Sequence, residues 1–217
     1  MSKDKTSFLK LLLNWWEQNK RDYKWRHTKD PYAVLIAEML LRKTTVHQVE
    51  QVYEKFLSKY PDPESLCRAD KNELEMLLKP LGMEHKRAEL FIKFGAIIKQ
   101  EYSGAVPSGS EELLKLPGVG RYARNAVLSF VYSENAPLLD TNFIRVIQRV
   151  FGLASSRSRA RDDKQMWQFA EELVPVGNSK DFNLAVLDLA ALVCRAKKSK
   201  CNICPIKNIC NYKKTVK

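Results

Sequence analysis

Apolar residues recur along most of this chain at the three- and four-residue intervals of a helix, not in strand-like alternation. Near the start, Phe8, Leu11, Leu12, Trp15 and Trp16 fall on one helical face, with Thr6 and Ser7 before them as candidate N-caps. The segment Asp30–Arg42 opens on Asp-Pro, where the fixed φ of proline suits a first helical turn. It continues apolar through Val34, Leu35, Ile36, Met39, Leu40 and Leu41. The same periodicity predicts helices over 46–59, 70–79, 85–101, 109–115, 121–133, 141–151, 162–174 and 181–195. Alternating runs bounded by hairpin turns are absent, so the predicted fold class is all-α. No low-complexity linker or strong repeat divides the chain, so any second domain must be assembled from parts close in space.

Composition supports a folded body: 45% of the 217 residues are hydrophobic, enough for a substantial core. Charge narrows the class of partner. Lys and Arg outnumber Asp and Glu by 37 to 25, a net +12, which suits a polyanion because each phosphate neutralised releases condensed counterions. A basic protein with no charged partner would look the same on this count alone. The longest apolar runs, Leu184–Leu187 and Leu189–Cys194, fall far short of the ~20 residues of a spanning helix. With no signal peptide visible, a cytoplasmic, nucleoid-associated monomer of a bacterium or archaeon is expected.

A reducing compartment argues against a disulfide framework for the five cysteines. Four of them, Cys194, Cys201, Cys204 and Cys210, are spaced C-x6-C-x2-C-x5-C. Thiolates so close in sequence can wrap one metal centre, and spacing alone leaves tetrahedral zinc and a [4Fe–4S] cube both open. Arg195, Lys197, Lys198, Lys200 and Lys207 lie within the same loop, well placed to meet phosphate. Cys67 is left over and is expected to be a buried free thiol. His27, His47 and His85 show no metal spacing.

Between two predicted helices lies Leu116-Pro117-Gly118-Val119-Gly120. Two glycines let a backbone approach an anion closely, and the following helix points its first N–H groups outward. A plain helix–helix connection that only needs positive φ has the same composition; Arg121 directly after the turn tilts the reading to DNA. Asp140 precedes another helical pattern, where it serves as an N-cap and where the helix dipole favours its ionised form. Glu38 has Val34, Leu35 and Leu41 as helical neighbours, so it is expected in a cleft where desolvation raises its pKa. The plainer alternative is an exposed Glu paired with Arg42 at i+4. Tyr122 shares a face with Asn125, Ala126 and Ser129, off the stripe of Ala123, Val127, Phe130 and Val131, so a pure core role is not expected.

These segments together resemble the helix-hairpin-helix DNA glycosylases. The likeness rests on Leu116–Arg121, on Leu139-Asp140-Thr141-Asn142 some twenty residues later, on Trp25-Arg26-His27 and Asp30-Pro31-Tyr32, on Glu38 through Thr45, and on the cysteine loop, so it covers nearly the whole chain. It implies double-stranded DNA with a mismatched or damaged base as partner. It also implies two lobes, 30–135 with the hairpin and 1–29 plus 136–217 with the cysteines, facing each other across a DNA-binding cleft. The cysteine spacing is similar to the iron–sulfur loop of the endonuclease III and MutY branches, which selects the [4Fe–4S] cluster over zinc. Asp140 then matches the catalytic aspartate and Glu38 the glutamate of MutY-type adenine glycosylases. Tyr122 stands where other members carry a Schiff-base lysine, which implies a monofunctional enzyme without strong strand-cutting activity. Asn142 matches the second residue of an Asp-x-Asn pair. Gly118, Gly120 and Arg121 would hold the DNA backbone, while Arg42 and Met83 occupy positions similar to duplex-probing residues. A surface charge and a core filler are the plainer roles of those last two.

Substrate choice divides this family. Adenine glycosylases acting opposite 8-oxoguanine usually continue well past the cluster, and they typically read Gln-Gln-Thr where this chain has Arg42-Lys43-Thr44-Thr45. The latter, with Trp25-Arg26-His27-Thr28, looks more like archaeal-type G·T mismatch glycosylases. Removal of thymine or uracil opposite guanine is therefore expected. The alternatives are adenine removal opposite 8-oxoguanine or guanine, and a catalytically silent DNA-binding module.

Overall fold

In the computed structural model, which describes residues 3–215, every regular element is helical. The α-helices are α1 (Lys3–Asn19), α2 (Pro31–Leu40), α3 (Val46–Lys59), α4 (Pro63–Cys67), α5 (Lys71–Leu78), α6 (Glu84–Glu101), α7 (Ser110–Lys115), α8 (Arg121–Phe130), α9 (Thr141–Phe151), α10 (Lys164–Leu173), α11 (Ser179–Leu192) and α12 (Asn211–Thr215). The all-α expectation is met. No helix among the described residues is long and apolar enough to cross a membrane. The chain divides into two compact units, Tyr23–Val131 and Met1–Asp22 with Tyr132–Lys217.

The first unit is built around α2. Its residues Tyr32 through Leu40 are all buried, so the helix has no solvent face, as expected of one apolar all round. The Asp30 carboxylate caps it, accepting from Tyr32 N at 3.0 Å and Ala33 N at 3.4 Å, with Pro31 at the first position. Helices α3 and α8 pack on α2, and α4 and α5 pack on α6. Gly95 permits the contact of α4 with α6, since a Cβ there would sit 2.6 Å from the Pro63 carbonyl oxygen.

The second unit joins the N-terminal helix to the C-terminal half through α1 and α11. Phe8 packs edge-on against Phe151 and Phe182, with centroids 5.3 and 6.4 Å away. Buried Asp188 accepts from Trp16 Nε1 at 2.8 Å and from Arg21 Nε at 2.6 Å and its backbone N–H at 3.0 Å. A charge withdrawn from water persists only with such partners, so Asp188 fixes where α1 ends.

Several sequence expectations are corrected at the helix ends. Thr6 and Ser7 are not N-caps, because α1 starts at Lys3 and runs a polar turn ahead of the first apolar residue. Helix α2 stops at Leu40 and not at Arg42: Thr44 Oγ1 takes the Leu40 carbonyl at 2.5 Å, and Lys43 turns left-handed at φ 56°. Helix α8 ends at Phe130, short of 133, and Ser133 also has positive φ. Helix α11 ends at Leu192, releasing Cys194 into a loop. Helices α4 and α12 carry too few residues for periodicity to reveal them. Cys67 is half-buried, not buried, at the end of α4.

Candidate active site

In the unit Tyr23–Val131, Glu38 is drawn inward: it is 8% exposed, in the last turn of α2. The exposed-Glu alternative is thereby set aside, and Arg42 instead donates from Nη1 to the Gly118 carbonyl at 3.1 Å. That carbonyl belongs to the turn between α7 and α8. Gly118 has φ +81°, and a Cβ there would meet Leu90 Cδ2 at 3.0 Å and Met39 Cε at 3.2 Å. Gly118→Ala is accordingly expected to cost about 1–2 kcal/mol of stability, measurable by thermal unfolding.

Gly120 differs from Gly118. Its backbone is extended at φ −104°, and a Cβ there would meet nothing within 4 Å. What it provides is a bare N-cap: no side chain caps α8 at this position, so the peptide dipoles of its first turn reach outward. Arg121 follows, exposed, and Tyr122 is half-buried. The expected polar face of α8 is not a surface, since Asn125 and Ser129 are buried as fully as the opposite stripe. Met83 is 51% exposed with left-handed φ 56°, which excludes the core-filler role.

In the other unit, Asp140 is the N-cap of α9. Its carboxylate accepts from Phe143 N at 2.7 Å, Asn142 N at 2.9 Å and Asn142 Nδ2 at 2.6 Å. Burial nevertheless outweighs these bonds and the nearby Arg145 guanidinium, so its carboxyl lies above the usual aspartate range. The bonds at the helix terminus act in the expected direction, and desolvation is the larger effect. Asn183 steers the approach to Asp140, accepting from Leu138 N at 2.9 Å and donating to the Ala136 carbonyl at 2.8 Å.

Two arginines on α9 escaped the sequence reading. Arg145 donates to Asn142 Oδ1 at 3.1 Å, to the Cys194 carbonyl at 2.9 Å and to the Ala190 carbonyl at 3.0 Å. A continuous hydrogen-bonded path thus runs from the first cysteine of the loop to Asp140. One turn on, Arg149 donates to the Arg195 carbonyl and Ser199 Oγ, both at 2.7 Å, and approaches Cys194 Sγ at 3.5 Å. Its guanidinium also lies over the Tyr212 ring, 4.7 Å from the centroid. The available signal was their i, i+4 spacing directly after the Asp-x-Asn pair; nothing in the pattern told what they would meet.

The four C-terminal cysteines are free and line one cavity with Val150, Val193 and Ile206. Burial pushes the Cys204 thiol up to about 11, helped by the other three, and raises Cys210 too. Such a pocket accommodates four thiolates only when positive charge enters with them, which is the chemistry of a metal centre. Among the described residues, no group of three or more His, Cys, Asp or Glu is arranged to hold a single ion.

The geometry has known counterparts. Residues 36–175 match the model of the HhH-GPD superfamily of base excision DNA repair proteins. A thymine/uracil-DNA glycosylase of Pyrobaculum aerophilum is 44% identical over 213 residues, covering 96% of this chain and 93% of the relative. An adenine DNA glycosylase of Buchnera aphidicola is 33% identical, covering 94% of this chain but 58% of the relative. A solved thermostable thymine-DNA glycosylase superimposes with a TM-score of 0.93 at 38% identity, covering 98% of both chains. With its hairpin and the aspartate at the head of α9 inside the matched segment, and relatives aligned along nearly its full length, the chain belongs to the HhH-GPD superfamily of base excision DNA repair proteins.

Proposed function

We propose that this protein is a monofunctional DNA glycosylase that hydrolyses the N-glycosidic bond of thymine or uracil mispaired with guanine. The observation that carries the reading is a partly buried aspartate at a helix N-terminus, held by Asn142 and Arg145, in a chain 44% identical to a thymine/uracil-DNA glycosylase. As the C1′–N1 bond breaks, positive charge develops on the sugar and negative charge on the base. The Asp140 carboxylate stabilises the first, water adds at C1′, and the departing base takes up the proton that water releases. Thymine leaves as an anion, so its oxygens need hydrogen-bond donors more than proton transfer, and Glu38 orients water or holds the base. Asn142 holds Asp140 in place.

DNA is gripped by the bare N-terminus of α8 through Gly118, Gly120 and Arg121, contacts that position the duplex without reading sequence. Arg42 and Met83, both exposed, probe the duplex as the base is extruded. A mismatched base costs less to extrude than a paired one, which gives selectivity before any pocket contact is made.

Cys194, Cys201, Cys204 and Cys210 would hold a [4Fe–4S] cluster. All four line one cavity, and the resemblance of their spacing to the iron–sulfur loop of the endonuclease III and MutY branches supports the cluster over zinc. When bound, the cluster supplies the fixed shape of a loop carrying Arg195, Lys197, Lys198, Lys200 and Lys207.

Tyr122 has no amine to form a Schiff base, so the product is an intact strand with an abasic site. The test is to incubate T·G and U·G duplexes and then divide each sample. Strand breakage only after alkali or heat is expected; a borohydride-trapped covalent complex forming as fast as base release would contradict the monofunctional reading.

A further inference from the structure

Arg87 lies near the start of α6, is buried, and has no part in the chemistry described above. Its guanidinium donates to three backbone carbonyls: Gly82 from Nε at 2.9 Å, Met39 from Nη1 at 3.1 Å and Arg42 from Nη2 at 2.6 Å. These acceptors lie in two segments, the end of α2 with its following turn and the turn that enters α6. Both turns contain left-handed backbone, at Lys43 with φ 56°, Gly82 with φ 70° and Met83 with φ 56°. Non-glycine residues in that region cost about 1–2 kcal/mol each and persist where neighbours over-determine them.

The tie extends to a third segment. Arg87 holds the main chain of residue 42 while the Arg42 side chain reaches the Gly118 carbonyl of the hairpin. The turns at 41–45, 82–83 and 117–120 are thus cross-linked through two guanidinium groups. Every acceptor of Arg87 is a neutral carbonyl, and burial and the Arg42 charge both disfavour its cation. Without the guanidinium these carbonyls would lose a donor, so Arg87 holds the backbone of both turns in one geometry.

We propose that Arg87 is a positioning residue that fixes Arg42 and Met83 relative to the hairpin, so that both meet the duplex in register when the target base is extruded. This rests on the DNA-glycosylase reading and adds to it a residue that touches neither DNA nor the reacting atoms.

The test compares Arg87→Lys, which keeps the cation but not the planar fork, with Arg87→Met, which keeps volume alone. Four quantities are read: thermal unfolding, affinity for a fully paired duplex, fluorescence of 2-aminopurine beside the mismatched thymine of a T·G duplex, and single-turnover thymine release. In Arg87→Lys, the unstacking signal and the release rate are expected to fall together by about tenfold or more. Paired-duplex affinity should stay near wild type and the protein folded at the assay temperature, its unfolding midpoint modestly lowered by the lost hydrogen bonds. Arg87→Met is expected to match or exceed that loss, and Arg87→Lys alone decides if Arg87→Met does not fold. Wild-type unstacking and release in Arg87→Lys would overturn the proposal, as would a loss of paired-duplex affinity as large as the loss of release. A wild type that unstacks the mismatch yet releases no thymine would refute the substrate reading and leave the positioning comparison intact.

Discussion

Replacing Asp140 by asparagine is expected to lower base release by about a hundredfold or more without lowering the unfolding midpoint. The two halves of this result have one cause. Burial holds the Asp140 carboxyl above the ordinary aspartate range against three hydrogen bonds to its oxygens. A carboxyl whose folded pKa is raised adds stability in its protonated form, below its unfolded pKa, and that contribution is lost as pH rises through the folded pKa. At neutral pH the ionised group therefore costs stability, which asparagine removes while still capping α9, since Asn and Asp cap almost equally well. Duplex affinity should stay close to wild type. The same shift sets a pH dependence: with the carboxylate as the working form in the proposed mechanism, wild-type release should fall on acidification at a higher pH than an ordinary aspartate would give. Loss of binding in parallel with activity would instead make Asp140 mainly a structural cap, and an acid limb at or below the usual aspartate range would contradict its environment.

The second large effect is expected in the cysteine loop. Protein purified without oxygen should be yellow-brown and carry about four irons per chain. Cys204→Ser should lose iron and affinity for DNA together, because the basic loop takes its shape from the metal. Release should also fall by about tenfold or more beyond what the affinity loss explains. The reason is the path Cys194 carbonyl, Arg145, Asn142, Asp140, in which a loosened Cys194 frees the guanidinium that orients Asn142. Stoichiometric zinc without iron would refute the cluster, and full iron retention in Cys204→Ser would refute its role as a ligand.

The sequence shows α2 as a nearly continuous apolar run and α9 as apolar residues at helical spacing, and the Asp caps at 30 and 140 were readable because capping is local chemistry. The true ends of α2 and α8 were not readable, since the left-handed positions that follow them are Lys43 and Ser133 and no glycine marks either turn. Tyr122 was placed on a polar face by pattern alone, yet Asn125 and Ser129 on that face are buried: a helix enclosed on both sides does not report its surroundings through apolarity. Nothing in the pattern of the sequence singled out Arg87, Arg145 or Arg149. Their acceptors are backbone carbonyls from distant segments, and no side-chain pattern encodes those.

Thymine and adenine release are told apart most directly by rate. Single-turnover release is to be measured with enzyme in excess on duplexes identical except for one pair: T·G, U·G, A·8-oxoguanine and A·G. Rapid release is expected from T·G and U·G, with slow or no release from both adenine pairs. Faster release of adenine from A·8-oxoguanine than of thymine from T·G would contradict it.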